Sequence, residues 1–165
     1  MSRPVPLPPG PGQESVWDYP RPPAVEPTGE LVEVVLGGDV VASTRAALRL
    51  LETSHPPTYY LPLDAFADGS LVPVEGRTHC EWKGQASYFD VVGGGRRAPR
   101  AAWHYPDPVP AYAVLLDHVA VMPGLVDECR VDGERVRPQE GGFYGGWITH
   151  HVVGPFKGVP GSWGW

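Results

Sequence analysis

From Leu31 onward, apolar and polar residues alternate with period two, the spacing of a strand with one buried face. Residues 31–36 predict a strand, Gly37-Gly38 a tight turn, and residues 39–42 the returning strand, because paired glycines supply the positive φ of a two-residue hairpin. Residues 43–52 fit two templates. Ser43 or Thr44 would cap a short helix with Ala47, Leu48 and Leu51 on one face, but alternation of Arg45 and Arg49 against Ala46, Leu48 and Leu50 favours a strand. Residues 53–62 contain Pro56, Pro57 and Pro62, which exclude regular helix and predict a stiff, irregular segment. Further strands are predicted at 71–74, 78–83, 86–92 and 101–105, within 114–122, and at 128–131 and 134–136. The pair 78–83 and 86–92 reads as a hairpin about Gly84-Gln85, the last pair as a hairpin about Asp132-Gly133, and residues 93–97 as a flexible loop.

Short strands with almost no helix predict a mainly β fold, a compact single domain of short antiparallel strands. Alternation does not choose between a sandwich, a barrel and a folded pair of sheets. No internal period suggests repeats.

Composition changes this picture at the two ends. The chain has 165 residues, with 21 glycines and 21 prolines, yet its six tryptophans and seven tyrosines argue against disorder. Residues 1–29 are proline-rich and predict an extended arm with polyproline character, anchored only by Val16, Trp17 and Tyr19. Roughly the first 20 residues are expected to be dispensable for folding. Residues 30–140 are expected to form the β core, and residues 141–165, rich in glycine and aromatics, a tail packed on it.

Nineteen acidic against thirteen basic residues give a net charge of −6, and lysine occurs only at Lys83 and Lys157. Without a basic stripe, neither nucleic acid nor an anionic membrane surface is an expected partner. No apolar run spans a bilayer, and the opening residues lack the apolar stretch of a secretory leader. Cys80 and Cys129 are expected as free thiols, which places the protein in the cytoplasm with no disulfide, no structural metal and no cofactor. A homo-oligomer is compatible with the sequence.

Four segments carry candidate chemistry. In Glu52-Thr-Ser-His-Pro-Pro-Thr-Tyr-Tyr-Leu-Pro62, Glu52 and His55 supply acid–base groups, and Tyr59 and Tyr60 a face or a hydroxyl for a ligand. The same Glu52 and His55 would also satisfy backbone groups that the prolines leave unpaired. In Cys80-Glu-Trp-Lys-Gly84, period two sets Cys80 and Trp82 on one face and Glu81 and Lys83 on the other. His79 therefore does not serve Cys80 as a base, and Cys80 reads as a buried inert thiol. Lys83 would bind an anion or sit in solvent. In Trp103-His-Tyr-Pro106, Trp103 and Tyr105 share a face, as one wall of a core or of an aromatic pocket. In the tail, Gly141-Gly-Phe-Tyr-Gly-Gly-Trp147 has no following helix, so it does not read as a nucleotide loop. His150 and His151 point apart if extended, so they are not expected to share an ion.

Taken in order, these rare strings resemble the family described as domain of unknown function 427, over roughly residues 26–165. Val121-Met-Pro123 stands where such proteins often carry Phe-Tyr-Pro. The resemblance implies an Mss4-like, β-tent-type topology. In methionine sulfoxide reductases and the ligand-binding domain of cereblon, that topology offers a concave sheet surface to a small ligand. It does not carry zinc across, because the paired Cys-x-x-Cys knuckles of many such folds are absent here. The family is sometimes filed as a nucleotidyltransferase. That chemistry needs paired carboxylates holding metal ions, and the close pair Asp132 and Glu134 flanks a hairpin tip.

The expected function is a small-molecule-binding β domain. Tyr59, Tyr60, Trp82, Trp103 and Tyr105 would form aromatic walls around Arg45, Glu52, His55 and Lys83. The alternatives are an enzyme using Glu52 and His55 as acid and base in the same pocket, and a protein-interaction module built on the arm and the tail.

Overall fold

Alternation along the chain produces two antiparallel sheets that face each other. The computed structural model describes residues 3–80 and 82–165. Its strands are β1 (Glu14–Ser15), β2 (Ala24–Pro27), β3 (Val32–Leu36), β4 (Asp39–Thr44), β5 (Leu48–Leu51), β6 (Thr58–Pro62), β7 (Leu71–Cys80), β8 (Gly84–Gly93), β9 (Arg96–His104), β10 (His118–Val121), β11 (Glu128–Val131), β12 (Glu134–Arg135), β13 (Arg137–Pro138), β14 (Trp147–Ile148) and β15 (Val152–Val153). Seven strands form one sheet in the order β2-β5-β6-β10-β9-β8-β7, and four form the other, β12-β11-β3-β4. Two small pairs, β1 with β15 and β13 with β14, tie the chain ends to this frame. The fold is mainly β, as the alternation predicts. Among the described residues no helix is long and apolar enough to cross a membrane.

Turn chemistry sets the hairpins. Gly37 and Gly38 (φ 64° and 82°) join β3 to β4, and Asp132 and Gly133 (φ 49° and 82°) join β11 to β12. Gly94 and Gly95 (φ 54° and 76°) make a third such turn, so the loop expected at 93–97 is instead a tight hairpin with Gly93 opposite Arg96. A Cβ on Gly94 would lie 1.9 Å from the Gly37 carbonyl oxygen, so two hairpin tips meet backbone to backbone.

Other expectations are corrected. The hairpin expected about Gly84-Gln85 turns three residues earlier, with Cys80 opposite Gly84. Strand β7 is continuous where two strands were expected, and its register shifts between Val74 and Arg77, around Gly76 (φ 107°). Its Pro73 is tolerated because β7 is an edge strand. The strand expected over 43–52 breaks at 45–47, where Thr44 Oγ1 accepts the Ala46 N–H at 2.9 Å. Residues 58–62, expected to be irregular, form β6 inside the large sheet, since their prolines fall before or at the end of the strand. The apolar run 114–122 divides into a 3-10 turn (Pro110–Leu115) and β10. Glu81, expected opposite Cys80 and Trp82, lies outside the described residues.

Between the sheets, Val32, Val34 and Leu36 meet Tyr59, Leu61, Val119 and Val121. The tail delivers Trp147 into this same layer. It is 0% exposed, donates its indole N–H to the Val121 carbonyl at 3.1 Å, and stacks on Tyr59 at 4.9 Å. Each such buried side chain contributes about 1.5–3 kcal/mol.

The expected division into arm and core does not correspond to a break in packing. Val16, Trp17 and Tyr19 are buried against Leu51, Ile148 and Val152, and the Trp17 indole N–H donates to the Pro155 carbonyl at 2.9 Å. Prolines keep the arm extended, but its three apolar anchors fill a groove between the large sheet and the tail. Both cysteines are free, with Cys129 fully buried and Cys80 half-buried.

Candidate functional site

Period two gives the large sheet a second face, turned away from the four-stranded sheet. Tyr60 pairs with Ala120, Ala120 with Trp103, and Trp103 with Tyr88, so these four residues form one row across β6, β10, β9 and β8. Ala120 contributes only a methyl between two large rings. Tyr105 lies two residues from Trp103 on the same face, and both pack in one cluster with Tyr60 and Trp82. Over this face lies a cavity of about 720 Å³. Segments far apart in sequence line it: Glu52, His55 and Tyr60, then Cys80, Trp82 and Lys83, then Trp103 and Tyr105, then Gln139, Phe143, Tyr144 and Lys157.

Glycines let the tail close over the sheet. A Cβ on Gly145 would lie 2.2 Å from the Trp103 ring, and one on Gly146 would lie 2.5 Å from both Pro56 and the Gln139 amide oxygen. The backbone thus occupies the place where a side chain would otherwise stand, and the rings of Phe143 and Tyr144 reach the cavity.

Glu52 and His55 are brought together by a turn. The His55 N–H donates to the Glu52 carbonyl at 3.0 Å, and Ser54 between them is left-handed (φ 73°). Both chain ends hold this turn. The Thr53 and Ser54 N–H groups donate to the Pro20 and Val16 carbonyls at 3.1 and 3.0 Å, and the Lys157 N–H donates to the Ser54 carbonyl at 2.8 Å. His55 Nε2 lies 3.6 Å from Glu52 Oε2, and Arg21 Nη2 lies 3.7 Å from the same oxygen. Tyr144 packs edge-on to the imidazole at 5.0 Å.

Gln139 completes the arrangement from the opposite side. It is 5% exposed. Its oxygen accepts the Gly146 N–H at 3.1 Å, and its nitrogen donates to the Lys157 carbonyl at 2.7 Å and to His55 Nδ1 at 3.1 Å. The two backbone partners fix the amide orientation, so a donor faces Nδ1. The imidazole is therefore the neutral tautomer with its proton on Nε2, on the Glu52 side. Burial pushes the His55 pKa from its ordinary 6.5 down to about 4, with help from the charges of Lys157, Arg21 and Lys83. Burial also opposes the charge of Lys83, but Tyr60, Cys80 and Glu52 favour it more, and its pKa lies above the ordinary lysine value. Its Nζ stands 5.7 Å from the centre of the Tyr105 ring.

The cavity gathers Glu52, His55, Tyr60, Trp82, Lys83, Trp103 and Tyr105 from the residues singled out in the sequence. It does not include Arg45 or Tyr59. Arg45 is exposed and donates to the Gly29 carbonyl at 3.4 Å. Tyr59, one residue from Tyr60 on a strand, points to the opposite face, where its hydroxyl donates to Glu30 at 3.1 Å. Sequence reasoning missed Gln139, Phe143, Tyr144 and Lys157 as wall residues. For Lys157 a signal exists, since it is one of only two lysines in the chain. For Gln139 none does. Cys80 was expected to be buried and inert, but it is half-buried on the cavity wall.

His150 and His151 do not point apart. They lie at a turn with ring centres 4.0 Å apart, and with Glu134 they offer ligand atoms within 4.8 Å of one another. The residues that could hold a metal ion here are thus Glu134, His150 and His151. Glu134 is already engaged, since it takes both the backbone N–H (2.8 Å) and the ring nitrogen of His150.

The fold and site define an antiparallel two-sheet protein with an aromatic-walled cavity. Residues 24–132 match the model of the family described as Domain of unknown function (DUF427), named NTP_transf_9, and the chain belongs to that family. No curated protein matches it.

Proposed function

We propose that the chain binds a small molecule in the cavity over the outer face of the large sheet. The observation that carries this reading is the convergence of four distant segments on one space with aromatic walls and a few inward polar groups. Sites for small ligands have this composition and this range of volume. Ligand-observed NMR with uncharged aromatic fragments tests it. Fragments that compete for one site and shift the indole N–H signals of Trp82 and Trp103 support it. Fragments that bind only elsewhere, or none at millimolar concentration, overturn it.

One observation favours a second, catalytic reading. A neutral imidazole with its proton on the Glu52 side makes a general acid–base pair for a bound ligand. If chemistry follows binding, Glu52→Gln and His55→Ala will retain the ligand and lose product formation. If the site only binds, no product forms in any variant. The same reading places the protein in the cytoplasm, where Cys80 and Cys129 stay reduced, and makes nucleic acid a poor partner for a chain of net charge −6.

A further inference from the structure

The chain carries two lysines, Lys83 and Lys157, and both line the cavity. Chance placement on a surface would leave them in solvent, where lysines usually lie. Lys83 is instead 9% exposed, on the turn between β7 and β8. Among the described residues, no carboxylate lies within ion-pair distance of either ammonium. Each instead has an aromatic ring near it, Tyr105 at 5.7 Å from Lys83 Nζ and Tyr144 at 5.8 Å from Lys157 Nζ.

Glu52 favours the charge of Lys83, but from beyond ion-pair distance. Glu52 is the one carboxylate among the described lining residues, and it is shared with Arg21 and His55. Arg100, also on the wall, donates to the Glu75 carbonyl and stacks over Tyr88 at 4.3 Å. A chain of net charge −6 thus concentrates positive charge at this aromatic cavity. A charged ammonium on the cavity wall, with no carboxylate in ion-pair contact, is placed to pair with a bound anion.

We propose that the ligand of this cavity is an aromatic oxyanion, with its carboxylate or phosphate group paired to Lys83, drawn in also by Lys157, and its ring against Trp82, Trp103 and Tyr105. This rests on the reading of the cavity as a small-molecule site. Lys83 on the cavity wall takes the anionic group, and the neutral His55 beside Glu52 is free to exchange hydrogen bonds with a polar substituent.

The test compares matched probes on the full chain: 2-naphthoate and 2-naphthyl phosphate against uncharged 2-naphthamide. The indole N–H signals of Trp82 and Trp103 report binding, in wild type, Lys83→Met and Lys157→Met. At least tenfold tighter binding of one or both anions than of the amide, lost in Lys83→Met and weakened by added salt, supports the proposal. Which anion binds tighter distinguishes a carboxylate from a phosphate ligand. Equal binding of all three probes, unchanged by either substitution, overturns the proposal and leaves the cavity as a binding site. Failure of all three to bind overturns both. If Lys83→Met does not fold, the charged-against-uncharged comparison in wild type and the Lys157→Met series decide the question.

Discussion

Gln139 donates to Nδ1 of His55 at 3.1 Å, and it is held to that role by two backbone groups, the Gly146 N–H and the Lys157 carbonyl. A tail residue thereby sets the proton position on an imidazole that comes from a turn 84 residues earlier. The consequences can be measured.

The first concerns pH. The His55 pKa is about 4 in the folded protein against an ordinary 6.5. Between these values the unfolded chain takes up a proton that the folded chain does not. Stability is therefore full above pH 6.5 and falls as the pH drops toward 4, by on the order of 3 kcal/mol over the whole window. Chemical unfolding of wild type and His55→Gln across this range should show a shallower acid loss in the variant. Parallel curves would contradict the assignment.

The second concerns the donor. Gln139→Glu replaces an N–H facing Nδ1 with a carboxylate and removes the hydrogen bond to the Lys157 carbonyl. A carboxylate beside the ring favours the imidazolium, so the His55 pKa should rise by at least one unit in an NMR titration. The neutral ring should also lose its uniform Nε2–H tautomer in ¹⁵N spectra. Unchanged titration would mean that the amide does not control this ring.

The third concerns the close approach of the tail to the sheet. In Gly145→Ala the new methyl meets the Trp103 ring, whose nearest atom lies 2.2 Å from where the Cβ would stand. Either the indole moves into the cavity or the tail lifts. Overpacking of this kind costs about 1–3 kcal/mol. The Trp103 signal in near-ultraviolet circular dichroism or NMR should shift, with ligand binding weakened more than stability. A variant with wild-type melting and an unshifted Trp103 would refute the packing argument.

The fourth concerns the arm. Trp17 is 8% exposed, packs on Trp165 at 5.7 Å and anchors residues that hold the Glu52–His55 turn. Trp17→Ala should cost about 3–5 kcal/mol. Deleting residues 3–20 should expose Leu51, Ile148 and Val152 and loosen the turn at Ser54, which loses the Val16 carbonyl as its partner. Hydrogen exchange at Ser54 and thermal melting read both effects. Wild-type values for both would restore the view of the arm as an appendage.

Local chemistry made part of this protein legible. Gly37-Gly38 and Asp132-Gly133 announce their hairpins because few other residue pairs accept positive φ at both turn positions. Period two separates Trp103 and Tyr105 from Ala102, and so places both rings on one face. Proline and glycine content at the ends misled, because composition reports conformational stiffness and not what a segment packs against. Val16, Trp17 and Trp147 show this, being buried in segments that lack a periodic pattern.

By itself the sequence determined a mainly β chain, its tightest turns, and which ring of each strand pair shares a face, since these depend on neighbours within a few residues. The tertiary structure alone decided that Tyr60 and not Tyr59 meets the cavity, because a face acquires meaning only when the second sheet covers the other one. It alone brought Lys157 and Gln139 to His55, because those contacts close loops of about a hundred and of 84 residues, and their geometry follows from packing rather than from any local signal.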